Sequence, residues 1–159
     1  MSNYEHIFLH AGVPLEDLAR ELGEAVRGGS GRSTQSHLYV ARPGRNGGEV
    51  GGTVAANILG SPPGTEPDER SVLDGYEVVF KIGSTIRDEQ VQIDEARRLF
   101  DDITARLSYQ VLLTQGLDLL VAAWSPTLGL TEFPPGTSVD AEDKDLWAPY
   151  DLPAFDPNT

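Results

Sequence analysis

The stretch YEVVFKIGSTIRDEQVQIDEARRLFDDITARLSYQVLL, residues 76–113, decides the fold because it encodes a strand, a helix and a second strand in succession. Its first part alternates apolar and polar side chains, which predicts a strand over residues 73–82. Thr85 and Asp88 then have the spacing of a capping box and predict the start of the helix. Apolar side chains recur at intervals of three and four along that helix: Ile93, Ala96, Leu99, Phe100, Ile103 and Leu107. Residues 109–113 and 119–124 predict a hairpin around the short connection 114–118.

Working outward towards the N-terminus, residues 4–10 predict a strand and Pro14 introduces a helix whose apolar residues share one face. Glycines at positions 28 and 29 predict its end, and residues 28–36 a polar loop. Residues 37–41 and 49–59 predict a hairpin with an Asn-Gly turn, in which Gly51 and Gly52 mark a bulge or a close backbone approach. Residues 60–71 contain three prolines and predict an exposed loop.

These elements predict an α+β fold, with a mostly antiparallel sheet of about six strands, two helices on one face and an irregular C-terminal tail. We expect residues 1–159 to form a single domain. Six prolines interrupt residues 126–159, yet this segment carries too many aromatic residues for a disordered tail. The tail is therefore expected to pack on the body through Trp147 and Tyr150.

Charge is distributed unevenly along the chain, whose formal net charge is -13. Residues 25–48 contain no acidic residue, and we call this segment the basic window; its arginines are Arg27, Arg32, Arg42 and Arg45. From position 131 onward, seven carboxylates face a single lysine, Lys144. Such a separation predicts a contact surface for an anion, for a partner or for the protein's own tail.

Composition excludes several classes of function. The acidity argues against nucleic-acid and anionic-membrane binding, because both need an excess of Lys and Arg. Without cysteine the chain has no disulfide, zinc-thiolate site or thiol nucleophile. No apolar run approaches the ~20 residues that span a bilayer, and the N-terminus lacks the pattern of a signal peptide. We therefore expect a cytoplasmic protein, of bacterial type by analogy with small acidic immunity proteins.

No catalytic or cofactor motif emerges, so an enzyme is not the favoured interpretation. His6 and His10 share a strand face, but four strand residues separate them by about 13 Å, which is too far for one metal ion. The carboxylate pairs at positions 94–95 and 101–102 predict a solvated helix face rather than acid–base chemistry. The glycine clusters match no phosphate-binding fingerprint, although Arg42 and Arg45 could hold an anionic group at the hairpin tip.

The charge pattern favours an acidic protein-binding module, comparable in character to immunity proteins or inhibitors that occlude a basic toxin or nuclease. The predicted partner-binding residues are Glu66, Asp68, Glu69, Asp140, Glu142, Asp143 and Asp145, with Trp147 as an aromatic anchor. One alternative is a small-molecule binder or enzyme with a pocket between sheet and tail, lined by His6, His10, His37, Tyr39 and Arg42. Another is an assembly subunit, for example a homodimer through a strand edge or the tail. A third is that the tail docks on the basic window as an internal cover.

Overall fold

The computed structural model describes residues 4–32 and 37–155, which form an α+β structure with one antiparallel sheet. Within these residues the sheet has eight strands, namely β1 (Glu5–His10), β2 (Gly29–Arg32), β3 (Leu38–Pro43), β4 (Glu49–Ala56), β5 (Val78–Ser84), β6 (Gln110–Gln115), β7 (Leu119–Ser125) and β8 (Gly129–Glu132). Their order is β2-β3-β4-β5-β1-β6-β7-β8, which places the N-terminal strand inside the sheet. The predicted class and antiparallel pairing are confirmed, but the prediction of about six strands was too low.

Two long helices, α1 (Leu15–Ala25) and α2 (Glu89–Arg106), cover one face of the sheet. Both bury an apolar stripe against alternate residues of the strands, because neighbouring strand residues point to opposite faces. This first core contains Leu18, Leu22, Leu99, Phe100 and Ile103 from the helices and Ile7, Leu9, Phe80 and Ile82 from the central strands. A third, one-turn helix, α3 (Lys144–Trp147), lies in the tail, so the described chain has three helices rather than the two expected.

The ends of the helices differ in detail from the prediction. Asp88, not Thr85, caps α2, since its carboxylate accepts the N–H of Val91 at 3.0 Å. The left-handed residue after α1 is Arg27, with a φ of 58°, rather than a glycine. Gly28 follows because a Cβ at that position would lie 2.1 Å from the carbonyl oxygen of Ala41 on β3. The glycine is thus required by close packing and not by its own φ.

The other face of the sheet carries a second core, which the tail covers. Strand residues including Phe8, Val79, Leu112 and Leu120 pack there against tail residues Val139, Trp147 and Tyr150. A 3₁₀ helix over Val72–Gly75 adds further apolar side chains to this core. It replaces the first part of the strand predicted over residues 73–82, which begins only at Val78. The division of the chain into a single domain stays a prediction.

The two edge strands, β2 and β8, were not predicted. β2 has the sequence Gly-Ser-Gly-Arg, lacks apolar alternation and lies in the segment expected to be a loop, of which residues 33–36 are outside the described part. Its strand conformation follows from pairing with β3, where Ser30 lies opposite Val40. β8 pairs with β7 in the same way, with Thr131 opposite Ala123. The homodimer through a strand edge stays a prediction.

Gly51 and Gly52 on β4 mark a close backbone approach and not a bulge. A Cβ at Gly51 would lie 2.1 Å from the carbonyl oxygen of Val40, and one at Gly52 would lie 2.0 Å from that of Lys81. The register of β4 with β5 is the same before and after the pair, from Val50 opposite Ser84 to Val54 opposite Phe80. The glycines therefore let three neighbouring strands approach one another.

Candidate functional site: an acidic cleft

The two predicted acidic segments, far apart in the sequence, flank one cleft. A 3₁₀ turn over Pro67–Glu69 lies on one side, and a second 3₁₀ turn, Ala141–Asp143, leads into α3 on the other. The backbone joins the two sides directly, because the N–H of Val72 donates to the carbonyl of Val139 at 3.0 Å. The cleft between them has a volume of about 350 Å³ and is lined by Pro67, Arg70, Ser71, Asp74, Lys144 and Asp151, among others. We call this feature the acidic cleft.

The carboxylates that flank the acidic cleft are free to act on a partner. Six of the seven predicted residues are exposed, namely Glu66, Asp68, Glu69, Asp140, Glu142 and Asp145. The seventh, Asp143, is partly buried and accepts the N–H of Ser138 at 2.6 Å. Within residues 4–32 and 37–155, none of the seven forms an ion pair. Their charges therefore give the surface beside the cleft an excess of negative charge, although the lining itself also contains Arg70 and Lys144.

Trp147 does not reach this surface. It is 1% exposed, packs in the second core and donates its indole N–H to the carbonyl of Asp140 at 3.3 Å. Its predicted role as an exposed aromatic anchor is therefore not available in this structure. The buried indole holds α3 against the sheet, and Asp145 on the same helix is exposed to solvent.

The floor of the acidic cleft contains two polar groups without partners. Asp74 is 9% exposed, and its Oδ1 accepts the N–H of Ser61 at 2.6 Å, but its buried Oδ2 accepts no hydrogen bond from any residue that the structure describes. Arg70 has a buried Nε that likewise has no partner. Sequence reasoning missed both residues, because one was assigned to a strand and the other to an exposed loop. The charge of Asp74 and its position beside the acidic turn were the only signals.

The basic window is dispersed rather than gathered into a patch. Arg42 is 8% exposed, pairs with Asp102 on α2 and donates to the carbonyl of Val26 at 3.0 Å. Arg45 is exposed at the hairpin tip, and an anion site formed by Arg42 and Arg45 stays a prediction. Arg32 pairs with Glu16 on α1. The tail residues Val139, Trp147 and Tyr150 pack on the face opposite the two long helices, whereas Arg32 and Arg42 pair with those helices, so these tail residues do not cover these two arginines.

One of the carboxylates expected on a solvated helix face is buried. Glu95 is 3% exposed, and its Oε1 accepts Arg98 at 2.5 Å. Its Oε2 accepts the backbone N–H of Arg45 at 3.2 Å and so ties α2 to the β3–β4 hairpin. Asp94 and Asp101 are exposed as expected. The role of Glu95 is structural, because it satisfies a backbone donor at a turn.

The histidines do not assemble into a metal centre. Across the described ranges no group of three potential ligands is close enough to hold an ion. His6 is buried, hydrogen-bonds the carbonyl of Gly116 at 3.0 Å, and has a pKa lowered by that burial. His10 lies 2.9 Å from a carboxylate oxygen of Glu77. His37 borders a separate, wider cleft of about 820 Å³ beside the start of α1, where Tyr39 and Arg42 are not among the lining residues.

Comparison with protein-family models, with curated proteins and with solved structures found no match for this chain. In the parts of the chain that the structure describes, no helix has the length and apolarity needed to cross a membrane.

Proposed function

We propose that this protein binds a basic protein partner through the acidic cleft and its flanking carboxylates. The mode of action would be that of an inhibitor or immunity protein, which covers the positively charged site of a toxin or nuclease. The observation that carries the proposal is the convergence of two acidic segments on one cleft, with no ion pair between their carboxylates and any part of the chain that the structure describes. Convergence from separate parts of the chain is what a recognition surface requires.

Contrast with the helices supports this interpretation. Carboxylates on α2 are largely neutralised by arginines of the same helix, as in the pairs Arg97–Asp101 and Arg106–Asp102. If the acidic residues only kept the protein in solution, there would be no reason for the paired carboxylates to lie on α2 and the unpaired ones beside the cleft. A patch of unpaired charge accelerates encounter with an oppositely charged surface and disfavours wrong partners.

The test compares two variants that lose the same charge at different places. One variant, Glu66→Gln/Asp68→Asn/Asp145→Asn, neutralises exposed carboxylates on both sides of the cleft. The control, Glu24→Gln/Glu49→Gln/Asp94→Asn, neutralises three exposed carboxylates elsewhere. Association rates are measured against basic proteins that co-purify with the chain, at several salt concentrations.

We expect the cleft variant to associate about tenfold more slowly at low salt and the control to stay within about twofold of the parent. High salt should remove most of the difference, because exposed charges are screened beyond about 8–10 Å. Equal effects of both variants would show that net charge alone governs binding. The recognition surface would then have no support, as it would if no basic protein bound at all.

A further inference from the structure

The acidic cleft carries unpaired cations as well as unpaired carboxylates. Arg70 and Lys144 line it together with Asp74 and Asp151. Among the described residues, no ion pair forms within this group of four, although it contains two charges of each sign. Because these opposite charges do not pair with one another, both signs can interact with a ligand in the cleft.

The floor of the cleft is held rigidly by its neighbours. Asp74 is fixed by the N–H of Ser61 on its side chain and by the N–H of Phe155, which donates to its backbone carbonyl at 3.2 Å. Gly60 is closely packed here, since a Cβ at that position would lie 2.5 Å from Oδ1 of Asp74. Two neighbouring segments, residues 60–61 and Phe155, therefore hold Asp74 in place, and its second carboxylate oxygen has no partner among the described residues, which is costly unless a ligand supplies one.

We propose that the acidic cleft binds a small zwitterion, namely a free α-amino acid. The ammonium group would donate to Oδ2 of Asp74 and face Asp151, while the carboxylate would accept from Arg70 and Lys144. Because Oδ2 of Asp74 is covered in the free protein, binding requires the side chains around it to move far enough for the ammonium group to reach this oxygen. The volume of about 350 Å³ lies at the small end of the range for ligand pockets, which suits an amino acid.

Other ligand classes fit this charge pattern less well. A simple anion would meet Asp74 and Asp151, and a simple cation would meet Arg70 and Lys144. A divalent metal ion would find two carboxylates beside two positive side chains, which oppose its binding. A zwitterion carries one group of each sign, so it can pair with the carboxylates and with the cations of the cleft. The proposal does not depend on the basic partner, because it rests on the floor of the cleft rather than on the flanking carboxylates.

The test is calorimetric titration of the full-length protein with the individual proteinogenic amino acids at low salt. Half-ligands are measured in parallel: ethylamine, acetate, and the carboxamide of each amino acid that binds. We expect at least one amino acid to bind with a dissociation constant below about 1 mM. Each half-ligand should bind at least about tenfold more weakly, because it leaves either the two carboxylates or the two cations of the cleft without a partner.

Variants assign the binding to the floor of the cleft. Asp74→Asn keeps the acceptor for Ser61 and the shape of the side chain but removes the charge, so we expect about a tenfold loss of affinity or more. Lys144→Gln is a second variant, for use should Asp74→Asn fail to fold. Glu24→Gln, which removes an exposed carboxylate from α1 far from the cleft lining, is the control and should leave amino-acid affinity unchanged.

Two results would overturn the proposal. One is that no amino acid releases or absorbs heat at millimolar concentration. The other is that the carboxamide binds as well as the amino acid, or that Asp74→Asn and Lys144→Gln bind as well as the parent. Loss of amino-acid binding with retained binding of a basic protein would refute this inference alone. The reverse outcome would refute only the proposed function.

Discussion

At the scale of single residues, Glu77 is a carboxylate held mainly by backbone donors. Its Oε1 accepts the N–H groups of Ala11 at 2.6 Å and Gly12 at 2.9 Å, and its Oε2 lies 2.9 Å from the ring of His10. Burial alone would raise the pKa of Glu77. The hydrogen bonds from Gly12, Ala11 and His10 outweigh that effect and hold the pKa of Glu77 below the ordinary value of a glutamate.

This arrangement predicts how the stability of the protein depends on pH. Because the pKa of Glu77 is lower in the folded state than in the unfolded state, its charge stabilises the fold above the unfolded pKa. That stabilisation is lost as the pH falls through the folded pKa. We expect Glu77→Gln to lower the free energy of unfolding by about 1 kcal/mol at pH 7, since glutamine keeps an acceptor oxygen but not the charge. The difference should shrink below about pH 4.5, measured by urea unfolding over a pH series.

The matched control is Glu24→Gln, which removes an exposed carboxylate from α1. Its effect at pH 7 should be within about 0.5 kcal/mol of zero. If Glu77→Gln retained its full effect at the lowest pH at which the protein folds, the backbone donors would not be acting on the charged form.

Single residues also show what the sequence could and could not predict of the candidate site. The flanking carboxylates were found because a run of like charges is visible without a structure. Asp74 and Arg70 were missed because the cleft that they line forms only when residues of the tail pack beside them. Trp147 was predicted both to pack the tail on the body and to anchor a partner, because the tail has no periodicity that would indicate which side is buried.

At the scale of elements, periodic segments were predictable and non-periodic ones were not. α2 and the β6–β7 hairpin follow from apolar spacing and a short connection, and the structure places them as expected. β2 could not be predicted, since Gly-Ser-Gly-Arg has little strand propensity and forms a strand only through pairing with β3. The predicted strand over residues 73–82 included most of the 3₁₀ helix Val72–Gly75. The apolar residues of this helix are buried in the second core, and a short apolar run does not by itself distinguish a strand from a helical turn.

The β4 strand provides a test of close strand packing. At Gly52 an added Cβ would lie 2.0 Å from the carbonyl oxygen of Lys81, and this neighbour is backbone that cannot rotate away. We expect Gly52→Ala to lower the free energy of unfolding by about 2 kcal/mol or more, the size of an overpacking effect. Urea unfolding monitored by tryptophan fluorescence measures it.

Gly29→Ala on the edge strand β2 is the control, because a Cβ there meets nothing within 4 Å and its φ is not in the left-handed region. Its effect should be within about 0.5 kcal/mol of zero. A loss at Gly29 as large as that at Gly52 would mean that glycine is needed throughout the sheet for some reason other than contact with the neighbouring strand.

At the scale of the whole molecule, the sheet is a middle layer between two helices and the tail. Each face has its own core, and the aromatic residues Phe8 and Trp147 belong to the second one. The tail also carries four of the seven carboxylates that flank the acidic cleft, namely Asp140, Glu142, Asp143 and Asp145. The residues proposed to recognise a partner are therefore positioned by the same segment that covers the second core, which couples recognition to folding.

This coupling predicts the outcome of truncation after Thr131. Removal of the tail takes Val139, Trp147 and Tyr150 from the second core and exposes strand residues such as Phe8 and Leu112. Replacing Trp147 alone by alanine should already cost about 3–5 kcal/mol, a large part of the stability of a domain of this size. We therefore expect the truncated chain to lose cooperative urea unfolding and to bind a hydrophobic dye, as chains with exposed cores do.

Leu146→Ala provides the control, since Leu146 is the neighbour of Trp147 but is 45% exposed. It should unfold at nearly the urea concentration of the parent. A truncated chain that still unfolded cooperatively at the parental midpoint would show that the helices and sheet suffice for stability. The tail would then serve recognition alone, and its apolar residues would have to be explained as part of an interface.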